Sequence, residues 1–154
     1  MTGMAYGNTG LGINHALACI ISKEFFISLN TAQAILIPYS LKYNGVTVPT
    51  KFVISPEYDC YIVQDKLYQM VLHLGLHPSN KKQAVKILVD EILRMEDELS
   101  VPSSFKTLGI SEKDFMGKID LMSSKTIDHW AIQTNPRVPL LEEMKLLLKA
   151  AYYG

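Results

Sequence analysis

Residues 10–38 read GLGINHALACIISKEFFISLNTAQAILIP. Ala16, Leu17, Ile20 and Ile21 recur at helical spacing, and no charged side chain occurs before Lys23, which predicts a helix meant for burial. The glycines at 3, 7, 10 and 12 would each cost about 1 kcal/mol inside a helix. They make sense where backbone must approach another helix or a ligand closely. Lys23 to Leu29 reads as a connector. Ser28 or Asn30 can cap a second buried helix from Thr31 to Tyr43, which carries Ala34, Ile35, Ile37 and Leu41. Pro38 predicts a kink in it, and Asn44-Gly45 a left-handed end. His15 and Cys19 stand four apart and share a face of the first helix. Two soft donors at that spacing suit a metal such as zinc. The stretch supplies no third ligand, and a buried thiol beside a locally satisfied histidine is an ordinary core feature.

Outward from this stretch the same period recurs. Val46 to Pro56 is punctuated by prolines and reads as a loop. Glu57 to Leu74 predicts a helix with Val63, Leu67, Met70, Val71 and Leu74 as its stripe, stopped by Gly75 and Pro78. His73 and His77 straddle that glycine and are not expected to share a face. From Ser79 or Asn80, a further helix places Val85, Leu88, Ile92, Met95 and Leu99 at steps of three and four. Its closing charge run reads as a solvated face. Ser103 to Gly109 is a turn. Ser111-Glu-Lys-Asp114 resembles a capping box before Phe115, Ile119 and Met122. Thr126 to Val138 is irregular, and Pro139 is expected at the first position of a last helix packed by Leu141, Met144, Leu148 and Ala151. Every firm element is helical, so the predicted class is all-α.

The 154 residues are the size of one domain, and 1–154 is read as a single helical domain. Lys+Arg and Asp+Glu are both 15. That balance argues against a nucleic-acid or membrane-surface partner, which needs a basic face. Two cysteines, Cys19 and Cys60, make no disulfide framework and suit a reducing, cytoplasmic setting. The apolar stretches fall short of a membrane span, and no basic segment introduces a secretory signal. Gly7 to Gly12 lacks both a preceding strand and the Lys-Ser/Thr of a phosphate-binding loop.

GMAYGNTGLGINHALA, AILIPYSLKYN, a helix ending LGL, SVPSSFKTLGISEKDF and TNPRVPLLEEMKLLLKAAYYG follow one another in order. Together they resemble the iron-containing (group III) alcohol dehydrogenases. The closing TNPR and AYYG look most like the alcohol dehydrogenase half of bifunctional aldehyde-alcohol dehydrogenases. The resemblance implies the later part of a carboxy-terminal helical domain, without its first helices and without the nucleotide-binding α/β domain. It implies hydride transfer between an alcohol and NAD(P), with Fe or Zn polarising the alcohol oxygen.

The family holds its metal with one Asp and three His. His15 matches the third ligand. Cys19 stands where a pocket His is usual. Leu29 stands where the fourth ligand His is expected, with Asn30 in place of the following glycine. Tyr6, Asp128 and His129 match positions near the substrate and cofactor pocket, and Trp130-Ala131-Ile132 departs from the family's Cys-Thr. An aliphatic Leu29 cannot ligate a metal, so no catalytic residue is assigned and the chain alone is expected to be inactive. The implied partner is an upstream nucleotide-binding domain or a homologous dehydrogenase chain. The other reading is a non-catalytic helical module, a pseudoenzyme that binds a partner or itself, since an apolar first helix stripped of its upstream neighbours would be partly exposed.

Overall fold

The computed structural model describes residue 4, residues 10–52 and residues 60–154. Helix α1 spans Gly12–Phe25 and α2 spans Leu29–Asn44. Next come α3, Val63–His73, and α4, Lys81–Glu98. The short α5, Glu112–Gly117, leads into α6, Ile119–Ile127. A 3-10 turn at Trp130–Thr134 precedes α7, Leu141–Tyr153. Among the described residues no strand forms. A single antiparallel bridge joins Phe52 to Arg137. The all-α expectation holds.

Helix α1 is the centre of the packing, against α2, α6 and the 3-10 turn. Ile13, Ala16, Leu17, Ala18, Ile20 and Ile21 are all buried, which is why its early turns carry no charge. The expectation of a part-exposed first stretch falls partly on residues 1–3 and 5–9, which lie outside the described residues; within α1, His15 and Cys19 are half-buried while the apolar face is covered by later elements. Helix α2 packs on α1, α4 and α7, and α3 pairs with α4. Phe105, Phe115 and Tyr152 close the far end of the core, with the Tyr152 hydroxyl donating to the Ile110 carbonyl at 2.9 Å. No helix among the described residues is long and apolar enough to cross a membrane.

Several sequence-based boundaries shift, each for a physical reason. The residues read as a connector belong largely to helices: α1 continues through Lys23 to Phe25, and Leu29 already opens α2. Helix α2 runs on through Pro38, whose ring is buried. Gly45 is not left-handed, at φ −80°. Its small size is needed instead by close approach, because a Cβ there would lie 2.6 Å from Val85 Cγ1. Helix α3 starts at Val63 rather than Glu57, and 57–59 lie outside the described residues. Asn80 caps α4, its side chain accepting from the Gln83 N–H. On α4 the buried residues are Ala84, Val85 and Val89, while Met95 and Leu99 stand in solvent. The predicted stripe is buried only where α2 and α3 reach it. Pro139 lies one residue before the Leu140 cap, and Glu143 reaches back to the Leu140 N–H at 3.4 Å.

Candidate functional site

His15 sits in the first turn of α1 with its ring half-buried. Its Nδ1 faces the Gln33 side-chain nitrogen on α2 at 2.9 Å. Its Nε2 faces Cys19 Sγ, one turn along α1, at 3.3 Å. The predicted shared face of His15 and Cys19 is therefore present as a direct contact. Asn14 secures the same junction by donating to the Gln33 carbonyl at 3.3 Å and accepting from Ser40 at 3.1 Å.

The turn after α6 brings two aromatic rings to this face. The His129 and Trp130 rings each lie 6.2 Å, centroid to centroid, from His15. His129 Nδ1 accepts from the Ala131 N–H at 3.2 Å, which leaves its proton on Nε2. Burial lowers the His129 pKa, helped by repulsion from His15 and Lys23, so the ring is neutral near pH 7. Burial pushes the Cys19 thiol up, and the Lys23 charge offsets only part of that. Cys19 is thus held as a thiol rather than the thiolate a metal or an electrophile requires.

Asp128 is exposed at the end of α6, one residue before His129. Leu29, the first residue of α2, is half-buried and packs against the hydrophobic core. Tyr6 lies outside the described residues.

The turn Thr134-Asn135-Pro136-Arg137 has a role that composition and spacing did not show. Asn135 is 1% exposed. Its Oδ1 accepts from the Ile13 N–H and from Asn44 Nδ2, both at 3.1 Å. Its Nδ2 donates to Asn44 Oδ1 at 2.9 Å and to the Arg137 carbonyl at 2.6 Å. All four hydrogen-bonding positions of the amide are used. Leu11, the residue before α1, has no side chain that can cap it, and Asn135 supplies the missing acceptor from across the fold. Gly12, at φ +71°, makes this possible, since a Cβ would come within 2.9 Å of Asn135 Oδ1.

Arg137 continues the same structure. It donates to the Tyr43 carbonyl at 2.8 Å, pairs with Glu143 and lies 4.0 Å over the Tyr43 ring. Glu143 also accepts from the Tyr43 hydroxyl at 2.7 Å and from Thr50 at 3.1 Å. Burial drives the Glu143 pKa up, but hydrogen bonds from Tyr43, Arg137 and Thr50 outweigh it and the net direction is down. Tyr43 is pushed far up, first by burial and then by that carboxylate, so it stays a donor. These residues form a buckle that joins α1, α2 and α7. An apolar cavity of about 440 Å³ opens beside it, lined by Tyr61, Val63, Leu67, Thr134 and Pro136 among others, and it does not include His15.

The described residues form helices packed around one buried helix, with a histidine face at that helix's start. The pattern of the Fe-containing alcohol dehydrogenase family, C-terminal, matches residues 1–152. The chain belongs to this family. It is 32% identical over 156 residues to the bifunctional aldehyde-alcohol dehydrogenase of Escherichia coli K12, spanning all of this chain and 18% of that protein. It is 27% identical to the NADPH-dependent butanol dehydrogenase of Clostridium saccharobutylicum, across all of this chain and 36% of that one. The iron-containing alcohol dehydrogenase of Thermococcus thioreducens superposes with a TM-score of 0.77 at 24% identity, covering 99% of this chain and 34% of that structure. A 1,3-propanediol oxidoreductase also superposes at a TM-score of 0.77, with 19% identity, covering 97% of this chain and 35% of that one. The likeness to the solved structures shows the fold. The chain spans about a fifth to a third of the length of these relatives.

The described donors do not by themselves make up a site for the ion that the family's description names. Among the described residues no group of three His, Cys, Asp or Glu side chains is arranged to hold a metal. Both His15 ring nitrogens already face a partner within the chain.

Proposed function

We propose that this chain is the metal- and substrate-side helical domain of an NAD(P)-dependent alcohol–aldehyde oxidoreductase, and that by itself it does not turn over. The relatives that support the reading carry this region within larger proteins. The catalytic reaction therefore belongs to an assembly that includes a nucleotide-binding part. One observation carries the inactivity: the residue at the implied fourth ligand position, Leu29, packs into the core. A hydrocarbon side chain there offers no lone pair, and a single histidine does not retain Fe(II) or Zn(II) at useful affinity. In this reading His15 marks the retained ligand position, Cys19 fills the place of a pocket His, and Tyr6, Asp128 and His129 border the substrate side.

The test is co-expression with the nucleotide-binding half of a related dehydrogenase, followed by assay of NAD(P)-linked alcohol oxidation with Fe(II) or Zn(II) added. No turnover and no stoichiometric metal are expected, and Leu29→His is expected to restore metal uptake in that assembly. Turnover by the unsubstituted chain with one bound ion would overturn the reading.

A second reading, a non-catalytic module that binds a partner or itself, draws support from a different place. A groove of about 730 Å³ between α2, α3 and α4 is lined by Ile37, Leu41, Leu67, Met70, Leu88 and Ile92, among others. Open apolar surface of this kind favours association. Light scattering across concentration tests it, and a strictly monomeric species counts against it.

A further inference from the structure

We propose that Gln33 is a positioning residue that holds the His15 imidazole protonated at Nε2 and aimed at Cys19, so the ring presents no free lone pair on that face. The proposal deepens the reading of His15 as the retained ligand position, but it concerns a proton rather than a metal and can be read without one.

The steps are short. An amide nitrogen only donates, and the Gln33 side-chain nitrogen faces His15 Nδ1 at 2.9 Å. Nδ1 is therefore the acceptor. A neutral imidazole that accepts at Nδ1 carries its proton on Nε2. That atom faces Cys19 Sγ at 3.3 Å, and with the proton on Nε2 the ring donates and the sulfur accepts. The hydrogen bonds thus run in one direction, from Gln33 through the ring to the sulfur. A metal needs a ring nitrogen with an unshared pair, and a general base needs the same. Here one nitrogen is covered and the other is protonated.

The Gln33 backbone is fixed from α1 by Asn14, which is itself held by Ser40. The amide therefore approaches the ring from a set position in the second turn of α2. A carboxylate at position 33 would reverse the chain, since it only accepts and would draw the proton to Nδ1, leaving Nε2 able to ligate.

Long-range ¹⁵N–¹H correlation on the full chain labelled at histidine, at pH about 9 where an ordinary imidazole is neutral, reads the tautomer directly. His15 of the unsubstituted chain is expected to be protonated at Nε2, and Gln33→Glu is expected to place a proton on Nδ1. A proton on Nδ1 in the unsubstituted chain overturns the proposal, as does an unprotonated Nδ1 in folded Gln33→Glu. The first spectrum needs no variant, so poor folding of Gln33→Glu leaves the test intact. In Leu29→His co-expressed with the nucleotide-binding half, Gln33→Glu is further expected to tighten Zn(II) binding about tenfold, as a carboxylate partner does for a ligating histidine. If Leu29→His takes up no metal in the assembly with the nucleotide-binding half, the dehydrogenase reading fails while the tautomer result still stands or falls by its own spectrum.

Discussion

The Asn135 buckle and the His15 face both act on the first turns of α1, yet they treat polar groups differently. At the buckle the amide is 1% exposed and every hydrogen-bonding position is used. At His15 the ring is half-buried, its partners are an amide and a weakly accepting sulfur, and Trp130 beside it is 58% exposed. A saturated buried network is costly to cut, whereas a part-exposed one can re-pair with water. The buckle thus ties α1, α2 and α7 together, while the part-exposed His15 face is expected to contribute less to folding. Stability and chemistry can be lost independently in such an arrangement.

Cutting the buckle is the strongest way to break this contrast. Asn135→Leu strands the Ile13 N–H, the Asn44 amide and the Arg137 carbonyl, and is expected to cost about 3–4 kcal/mol in urea unfolding. A loss below 1 kcal/mol would show that the network is decorative. Next comes Arg137→Lys, which keeps the charge but gives up the planar fork that joins Tyr43 and Glu143. It is expected to cost about 2 kcal/mol, because Arg and Lys are not equivalent at a stacked, forked site.

A third effect separates the regions by pH. The folded Glu143 pKa is depressed, so its contribution is fully present above the ordinary glutamate value of about 4.3. That contribution is lost as pH falls through the lower folded value. Glu143→Gln is expected to flatten the acid limb of the stability curve, and an unchanged limb would place the acid sensitivity elsewhere. Smallest is Trp130→Ala on the exposed face, with an expected change of about 0.5 kcal/mol or less. A loss like that at Asn135 would erase the contrast.

The all-α class was legible because apolar residues kept a helical period in several segments, most clearly in α4. The His15–Cys19 contact was legible for the same reason, being local to one helix. What spacing concealed was tertiary. The α1 cap comes from Asn135, 122 positions away, and no local motif announces it. Gly45 does end α2, but a neighbouring valine rather than a left-handed φ dictates its size. Met95 and Leu99 kept the period of α4 and yet are exposed, because a period marks a face without saying how far a neighbour covers it. Gln33 gave no signal, since an uncharged amide on a helix face acquires meaning only when His15 is seen beside it. Leu29 looked like an ordinary hydrophobe, and the resemblance to a family alone drew attention to it.

Counting metal on the purified chain after anaerobic equilibration with Fe(II) or Zn(II) and exhaustive dialysis bears most directly on the proposal that this chain holds no metal by itself. The expected result is well under one retained ion per chain, with no change in His15→Ala. One ion per chain, absent in His15→Ala, would contradict it and return His15 to service as a metal ligand despite Leu29.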